Sequence, residues 1–148
     1  MTYAVDDAAA MEALGARLGT RLPGGTLVRL IGELGAGKTT LVRGIARGVG
    51  CTDPVRSPTF GLVHRYEGGR FLLWHVDLYR LAQGASIDDL GVEFWTDDDA
   101  VCCVEWPERC EASLPEGGIV IHIDMPEEGR TVSVIGVGSL SRVGEDLQ

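Results

Sequence analysis

The sequence predicts an α/β fold, in which a mostly parallel central sheet is flanked by helices and carries an antiparallel hairpin at one edge. Apolar runs of strand length alternate with helical segments over the first two thirds of the chain, which is typical of parallel sheets covered by helices. Two alternating segments around a tight turn follow, which indicates the hairpin. With 148 residues, the chain has the length of one domain.

The first third of the chain predicts a helix, a strand and a second helix. Asp6 or Asp7 can cap a first helix whose apolar residues recur on one face. After a Pro-Gly-Gly turn, the segment from Thr26 to Ile31 predicts a short apolar strand. The segment from Lys38 to Val49 predicts an amphipathic helix, and Gly50 suits its carboxyl end.

The middle of the chain predicts a loop and two more strands. Ser57-Pro58-Thr59 indicates an irregular functional loop, because proline lacks a backbone donor and disfavours helix in the residue before it. Phe71 to Val76 and Ala100 to Val104 are apolar runs of strand length. Each run is followed by an acid, Asp77 in the first case and Glu105 in the second.

The last third predicts the hairpin and a tail. Ile119 to Asp124 and Thr131 to Val137 alternate around a Pro-Glu-Glu-Gly turn and are expected to pair in antiparallel fashion. We assign residues 1–138 to a single domain. Residues 139–148 form a polar carboxyl-terminal tail, which we expect to fray.

Composition narrows the classes of function. The formal net charge is -9, which disfavours a direct nucleic-acid binder. The four cysteines show no C-x-x-C spacing and are expected to be reduced core thiols in a cytoplasmic protein. The first residues lack the basic start and apolar centre of a signal peptide, and no apolar run reaches membrane-spanning length.

Residues 32–39 read Gly-Glu-Leu-Gly-Ala-Gly-Lys-Thr and match G-x-x-x-x-G-K-[ST] between a predicted strand and a predicted helix. Glycines let the backbone N–H groups of such a loop turn toward phosphates. Lys38 would place a positive charge on the outer phosphates, and the Thr39 hydroxyl would ligate Mg²⁺. The pattern predicts a P-loop nucleoside triphosphatase that binds Mg-ATP. The expected nucleotide-binding residues are Gly35, Ala36, Gly37, Lys38, Thr39 and Thr40.

A metal that bridges two phosphates needs a further acid, usually at the end of a strand beside the P-loop strand. Asp77 and Glu105 both qualify by position, and the alternative for each is a solvated acid at a strand end. The residues alone leave open which of the two touches the metal. His64 and His75 have no partner at a recognisable ligand spacing and are expected to be structural.

Four segments together carry a resemblance to a known family. They are Gly-Glu-Leu-Gly-Ala-Gly-Lys-Thr-Thr at 32–40, Ser-Pro-Thr-Phe at 57–60, His-Val-Asp-Leu-Tyr-Arg at 75–80 and Val-Glu-Trp-Pro-Glu at 104–108. In this order and approximate spacing, the chain resembles the TsaE (YjeE) family, the small ATPases of bacterial threonylcarbamoyladenosine (t6A) tRNA modification. The resemblance extends over nearly the whole chain and leaves only the last residues unmatched.

The resemblance implies roles for particular residues. Thr39 and Glu105 would hold Mg²⁺, Asp77 would occupy the Walker B place and orient the attacking water, and the loop at 57–59 would sense the γ-phosphate. The implied catalytic residues are Asp77, Glu105 and Thr59, and the implied switch or partner contacts are Ser57, Arg80 and Trp106. The alternatives are a solvated surface arginine for Arg80 and a core aromatic for Trp106.

The resemblance also implies partners. In this family TsaD acts with TsaB in the threonylcarbamoyl transfer at position 37 of tRNA, and the ATPase binds at their interface to allow repeated turnover. The chain would therefore reach tRNA only indirectly, and its acidic surface suits docking on a basic partner. Turnover by the isolated chain is expected to be slow, because the sequence shows no obvious arginine finger.

Two other functions share a P-loop. A small-molecule kinase normally closes an arginine-rich lid, whereas the segment at 83–99 is acidic and has no arginine or lysine. A guanine-nucleotide switch normally uses an N-K-x-D element, and the sequence contains no asparagine. ATP hydrolysis is therefore the favoured interpretation, and the kinase is the alternative.

Overall fold

The computed structural model of the chain describes residues 1–52, 54–56, 63–81 and 98–148, with the backbone alone for 54–56. The helices are α1 (Ala8–Gly19) and α2 (Lys38–Val49). The strands, in chain order, are β1 (Thr2–Val5), β2 (Leu27–Gly32), β3 (Pro54–Arg56), β4 (Val63–Tyr66), β5 (Leu72–Asp77), β6 (Ala100–Glu105), β7 (Ile119–Asp124) and β8 (Arg130–Gly136). No helix in these ranges is long and apolar enough to cross a membrane.

The described strands form one sheet in the order β1-β8-β7-β2-β6-β5-β4-β3. The four central strands, β7, β2, β6 and β5, run parallel. Antiparallel strands extend the sheet on both sides, β8 and β1 beyond β7, and β4 and β3 beyond β5. The predicted class, with a parallel centre and a β7–β8 hairpin, is confirmed. The short outer strands β1, β3 and β4 were not predicted.

Local capping explains where the two helices begin and end. The Asp7 side chain accepts a hydrogen bond from the N–H of Ala10 at 2.8 Å, which satisfies one of the free donors at the start of α1. Helix α2 has the predicted bounds. It ends at Gly50, whose φ of 94° is the left-handed conformation that terminates many helices.

Helices α1 and α2 approach each other through glycines. A Cβ atom added to Gly44 would lie 2.1 Å from the carbonyl oxygen of Glu12, and one added to Gly15 would lie 2.4 Å from the carbonyl oxygen of Leu41. A side chain at either glycine would collide with backbone, so the two helices pack closely only because these positions lack one. In this way α1 supports the helix that follows the predicted phosphate loop.

The two faces of the sheet bury separate cores. Successive side chains of a strand point to opposite faces. On one face, Val101 and Cys103 of β6 join the apolar side chains of α1 and α2. On the other face, Cys102 and Val104 pack with Leu114. All four cysteines are buried and free of disulfides.

The carboxyl-terminal residues pack onto the domain instead of fraying as expected. The Leu147 side chain is fully buried in the helix-side core. The N–H of Leu147 donates to the Tyr3 hydroxyl at 3.1 Å, and the Arg21 guanidinium donates to the carbonyl oxygen of Asp146 at 2.9 Å. These contacts tie the end of the chain to β1 and to the turn after α1.

Candidate nucleotide site

The predicted phosphate loop connects β2, which ends at Gly32, to α2, which begins at Lys38. Gly35 and Gly37 have φ angles of 82° and 107°, values that residues with a side chain rarely adopt. These two glycines of the loop therefore occur where the backbone is left-handed. The amino terminus of α2 opens at the same place and adds its partial positive charge.

The Lys38 side chain is folded back into this loop. Its ammonium group donates to the carbonyl oxygens of Gly32 and Glu33, the latter at 3.3 Å, and lies 4.0 Å from the centroid of the Trp106 ring. Burial lowers the pKa of Lys38, although the carboxylates of Glu105 and other nearby acids oppose the shift. Lys38 is thus a mostly buried cation whose direct partners are neutral groups, and an anionic ligand would bind it more strongly.

Glu105, at the end of β6, faces the start of α2. Its side chain is 4% exposed, and its Oε2 atom accepts hydrogen bonds from the Thr39 hydroxyl at 2.9 Å and from Nε2 of His75. Burial alone would raise the pKa of Glu105, but His75, Thr39 and Lys38 outweigh burial and hold that pKa below its ordinary value. Glu105 is therefore an ionised carboxylate beside the loop, not a solvated acid at a strand end.

His75 belongs to this cluster, so the expectation of a purely structural histidine missed its position. His75 pairs with Cys103 across β5 and β6, which places it diagonally next to Glu105 on the same face. Its side chain is buried with that of Glu105. The alternation of side chains along the strand could have predicted this position, because His75 precedes Asp77 by two residues and must point to the same face of the sheet.

Asp77 lies opposite Glu105 in the register of β5 and β6. Both acids were expected on strands beside β2; β6 adjoins β2, but β5 lies one strand farther out, so this expectation is wrong for Asp77. Its Oδ1 atom accepts a hydrogen bond from the N–H of Tyr79 at 3.0 Å. Asp77 is partly exposed and lines the cavity beside the loop. The two acids therefore differ, since Glu105 is held by side chains and Asp77 reaches the open space.

Trp106 follows Glu105 with a φ of 58°, a left-handed conformation that is unusual for a residue other than glycine. Its ring contacts Lys38, as described above, and lies 5.1 Å from the ring of Tyr79, centroid to centroid. Strained backbone of this kind often occurs at functional sites. Trp106 thus lies at the mouth of the site while it also packs against the second core.

Two adjoining cavities open at the loop. The first, about 320 Å³, is lined by loop residues and by the strand ends, namely Leu34, Gly35, Ala36, Gly37, Lys38, Thr39, Thr40, Asp77, Tyr79, Glu105 and Trp106. The second, about 260 Å³, shares Gly35, Ala36, Gly37 and Thr40 with the first and extends along Asp6, Asp7, Ala8, Met11, Gly129 and Arg130. The sequence analysis did not anticipate this second cavity, because the start of α1 and the start of β8 form it from opposite ends of the chain.

The structure brings together all six expected loop residues, Asp77, Glu105 and Trp106 around the first cavity. Arg80 is exposed in the turn after β5 and is not among the described residues that line this cavity. Ser57 and Thr59 lie outside the described residues, as does most of the acidic segment at 83–99.

The parallel sheet centre, the loop between β2 and α2, and the acids at the ends of β5 and β6 define an α/β protein with the P-loop nucleoside triphosphatase fold. A sequence profile for TsaE, the threonylcarbamoyl adenosine biosynthesis protein, matches residues 5–132. The chain belongs to the TsaE family.

Individual relatives agree with this assignment. The chain is 38% identical over 116 residues to the tRNA threonylcarbamoyladenosine biosynthesis protein TsaE of Haemophilus influenzae. This alignment covers 78% of this chain and 73% of that protein. It is 43% identical over 136 residues to the protein of the same name from Streptomyces coelicolor, with 86% of this chain and 91% of that protein aligned. The crystal structure of Bacillus subtilis YdiB superposes with a TM-score of 0.77 at 27% identity, over 99% of this chain and 93% of that one.

Proposed function

We propose that this protein binds Mg-ATP at the phosphate loop and hydrolyses it in support of t6A modification of tRNA, acting with TsaD and TsaB. One observation carries the chemistry. The hydroxyl of Thr39 in the loop donates to the buried carboxylate of Glu105, so the two metal-ligating residues implied by the resemblance are already in contact. Family membership and the names of the relatives support the pathway.

The donors present suit Mg²⁺. This ion prefers oxygen ligands and usually keeps several waters while one or two protein groups and the substrate phosphates complete its shell. The Thr39 hydroxyl and the Glu105 carboxylate are such groups, and the oxygen of Thr39 keeps its lone pairs when its hydrogen is donated to Glu105. A bound Mg²⁺ would neutralise charge on the outer phosphates.

The protein's own groups would then act on the nucleotide as follows. Lys38 would exchange its contacts with two carbonyl oxygens for the outer phosphates, and the amino terminus of α2 would bind the same charge. Asp77, which reaches the cavity beside Glu105, would orient the attacking water. Thr59, which lies outside the described residues, remains a proposed catalytic residue, and Ser57 a proposed switch contact.

The second cavity would hold the nucleoside end of ATP. It adjoins the first along the loop, on the side away from Glu105, so phosphates seated over the loop would direct the base into it. Arg130 lines this cavity, and its guanidinium reaches the carbonyl oxygen of Gly35 at 3.5 Å. A planar guanidinium of this kind can stack on a base.

Partner dependence has two supports. No arginine is among the described residues that line the first cavity, and an arginine supplied in trans is worth about 10³ to 10⁵ in the rate of phosphoryl transfer. The rim of the same cavity also exposes apolar surface, since Leu34 is 64% and Tyr79 42% exposed. We therefore propose slow hydrolysis by the isolated chain, with TsaD and TsaB docking near Leu34, Tyr79, Arg80 and Trp106, and tRNA reached only through them. The four free, buried cysteines suit a reducing cytoplasm.

The function is tested by measuring ATP hydrolysis by the purified chain alone and with TsaD, TsaB and tRNA, while t6A formation is followed. We expect partner-stimulated hydrolysis together with several rounds of modification. Rapid hydrolysis that the partners leave unchanged would contradict the proposed partner dependence. Phosphate passed to a small molecule, without any effect on modification, would favour the kinase alternative.

Binding is tested separately by calorimetry with Lys38→Ala and Glu105→Ala, with and without Mg²⁺. Lys38→Ala should abolish nucleotide binding, whereas Glu105→Ala should mainly weaken its metal dependence. Lys38 is also the only lysine in the sequence. If bound ATP slows the reductive methylation of the Lys38 amine, this protection would report directly that the nucleotide site is occupied. Wild-type metal dependence in Glu105→Ala would leave the metal to Asp77 or to water alone.

A further inference from the structure

We propose that His75 is a positioning residue for the metal site, which holds the Glu105 carboxylate in the orientation that binds Mg²⁺. This inference rests on the proposed function, because it assigns a second layer of support to the same site. The observation behind it is the contact of Nε2 of His75 with Oε2 of Glu105, between two side chains that are both almost completely buried.

The distribution of contacts over the carboxylate is the first step of the argument. Both described hydrogen bonds, from Thr39 and from His75, reach the same oxygen, Oε2. Among the described residues, none donates a hydrogen bond to Oε1, and Glu105 lines the cavity beside the loop. Oε2 is thus anchored by two side chains, and we infer that Oε1 is the oxygen that would meet a ligand from the cavity.

The second step concerns what else could hold the carboxylate. The Thr39 hydroxyl is itself a proposed metal ligand, so its oxygen would contact the metal as well as donate to Glu105. His75 instead lies within β5, two strands from β2 in the sheet, and its backbone is fixed by the pairing with β6. His75 is therefore the contact of Glu105 that is not itself a proposed metal ligand.

The third step is energetic. A buried carboxylate with too few hydrogen-bond donors is unstable, and its side chain reorients toward other donors or water. Carboxylates that ligate metals are usually hydrogen-bonded in turn, and loss of such a partner typically lowers metal affinity or activity by about 10- to 100-fold. The same order of loss is expected when the donor of His75 is removed.

The test uses three substitutions in the full chain. The side-chain amide of His75→Gln can place an N–H near the position of Nε2, whereas the shorter amide of His75→Asn cannot, and His75→Leu offers no donor. The matched control is His122→Asn, since His122 is an exposed histidine on β7, outside the site. Affinity for Mn²⁺ in the presence of ADP, measured by electron paramagnetic resonance, is the first readout. Affinity for ADP in excess chelator, measured by calorimetry, is the second.

We expect Mn²⁺ affinity to fall by about 10- to 100-fold in His75→Asn and His75→Leu and to recover largely in His75→Gln. Metal-free ADP affinity should stay within about twofold of the wild type in all variants, which a general loss of structure would not permit. If His75→Leu does not fold, the Gln and Asn pair decides. Equal Mn²⁺ affinity of these two variants would overturn the proposal.

The outcome also separates the two proposals. A wild-type chain that binds neither ADP nor Mn²⁺ would overturn the proposed function and this inference together. A wild-type chain that binds both, with variants that match it in Mn²⁺ affinity, would overturn the role of His75 alone. A parallel fall in Mn²⁺ affinity and in metal-free ADP affinity would assign His75 to the fold instead of to the metal.

Discussion

The close approach of α1 and α2 makes Gly44→Ala a sensitive probe of the helix pair behind the phosphate loop. The added methyl group would lie 2.1 Å from the carbonyl oxygen of Glu12. An ordinary carbon to oxygen contact is about 3.3 Å or longer, so the backbone of one helix must retreat by roughly 1 Å. No flexible side chain can absorb this movement.

The expected free energy follows from two opposing effects. Overpacking of a close contact typically costs about 1–3 kcal/mol, and displacement of backbone places Gly44→Ala near the upper end of this range. Alanine in place of glycine inside a helix returns about 1 kcal/mol. The free energy of unfolding should therefore fall by about 2 kcal/mol, which corresponds to a melting temperature lower by about 4–8 °C.

Urea denaturation followed by circular dichroism measures this loss, and Arg43→Ala is the matched control. Arg43 is the exposed neighbour of Gly44 on α2, and its replacement should change stability by less than about 0.5 kcal/mol. If Gly44→Ala were as stable as the wild type, or gained the 1 kcal/mol that helix propensity alone predicts, the close backbone contact would be refuted.

Two further predictions concern the core. Leu147→Ala should lower the free energy of unfolding by about 2–5 kcal/mol, because Leu147 is fully buried. The control Gln148→Ala should be nearly neutral. Equal urea midpoints for the two variants would contradict the packing of the tail. Burial raises the pKa of Cys110 to about 11 and also raises the pKa values of the other three thiols. At pH 8 a thiol reagent should therefore label the native protein slowly and the urea-unfolded protein rapidly. Since an unfolded thiol has a pKa of about 8.5, the free energy of unfolding should fall as the pH rises above that value, and rapid labelling of native Cys110 would count against this account.

The phosphate loop and α2 could be predicted from the sequence because their requirements are local. Gly35 and Gly37 occur where the backbone is left-handed, and Gly50 ends the helix for the same steric reason. These predictions needed no knowledge of distant contacts. The acids depended on strand order as well: Glu105 ends β6, which adjoins β2 as expected, whereas Asp77 ends β5, which adjoins β6 and not β2.

Features that depend on distant contacts were missed. Strands β1 and β4 are four residues long, and they gain their pairing from β8 and β5 and not from a strong pattern of their own. In the tail, Leu140, Val143 and Leu147 recur at helical spacing among polar residues, a weak signal that was outweighed by composition. His75 was interpreted in isolation, although the alternation of β5 placed it beside Asp77.

The buried contact between His75 and Glu105 also carries a cost. Ionisable groups held out of water are expensive, and their replacement by well-packed apolar residues of similar volume is often neutral or stabilising by about 1–4 kcal/mol. A screen that selects only for heat resistance would therefore tend to discard this cluster and return a more stable protein without the proposed metal ligand. Engineering a more heat-stable member of the family would require selection for ligand binding as well as for melting temperature. At His75 and Glu105 these two selections favour different residues.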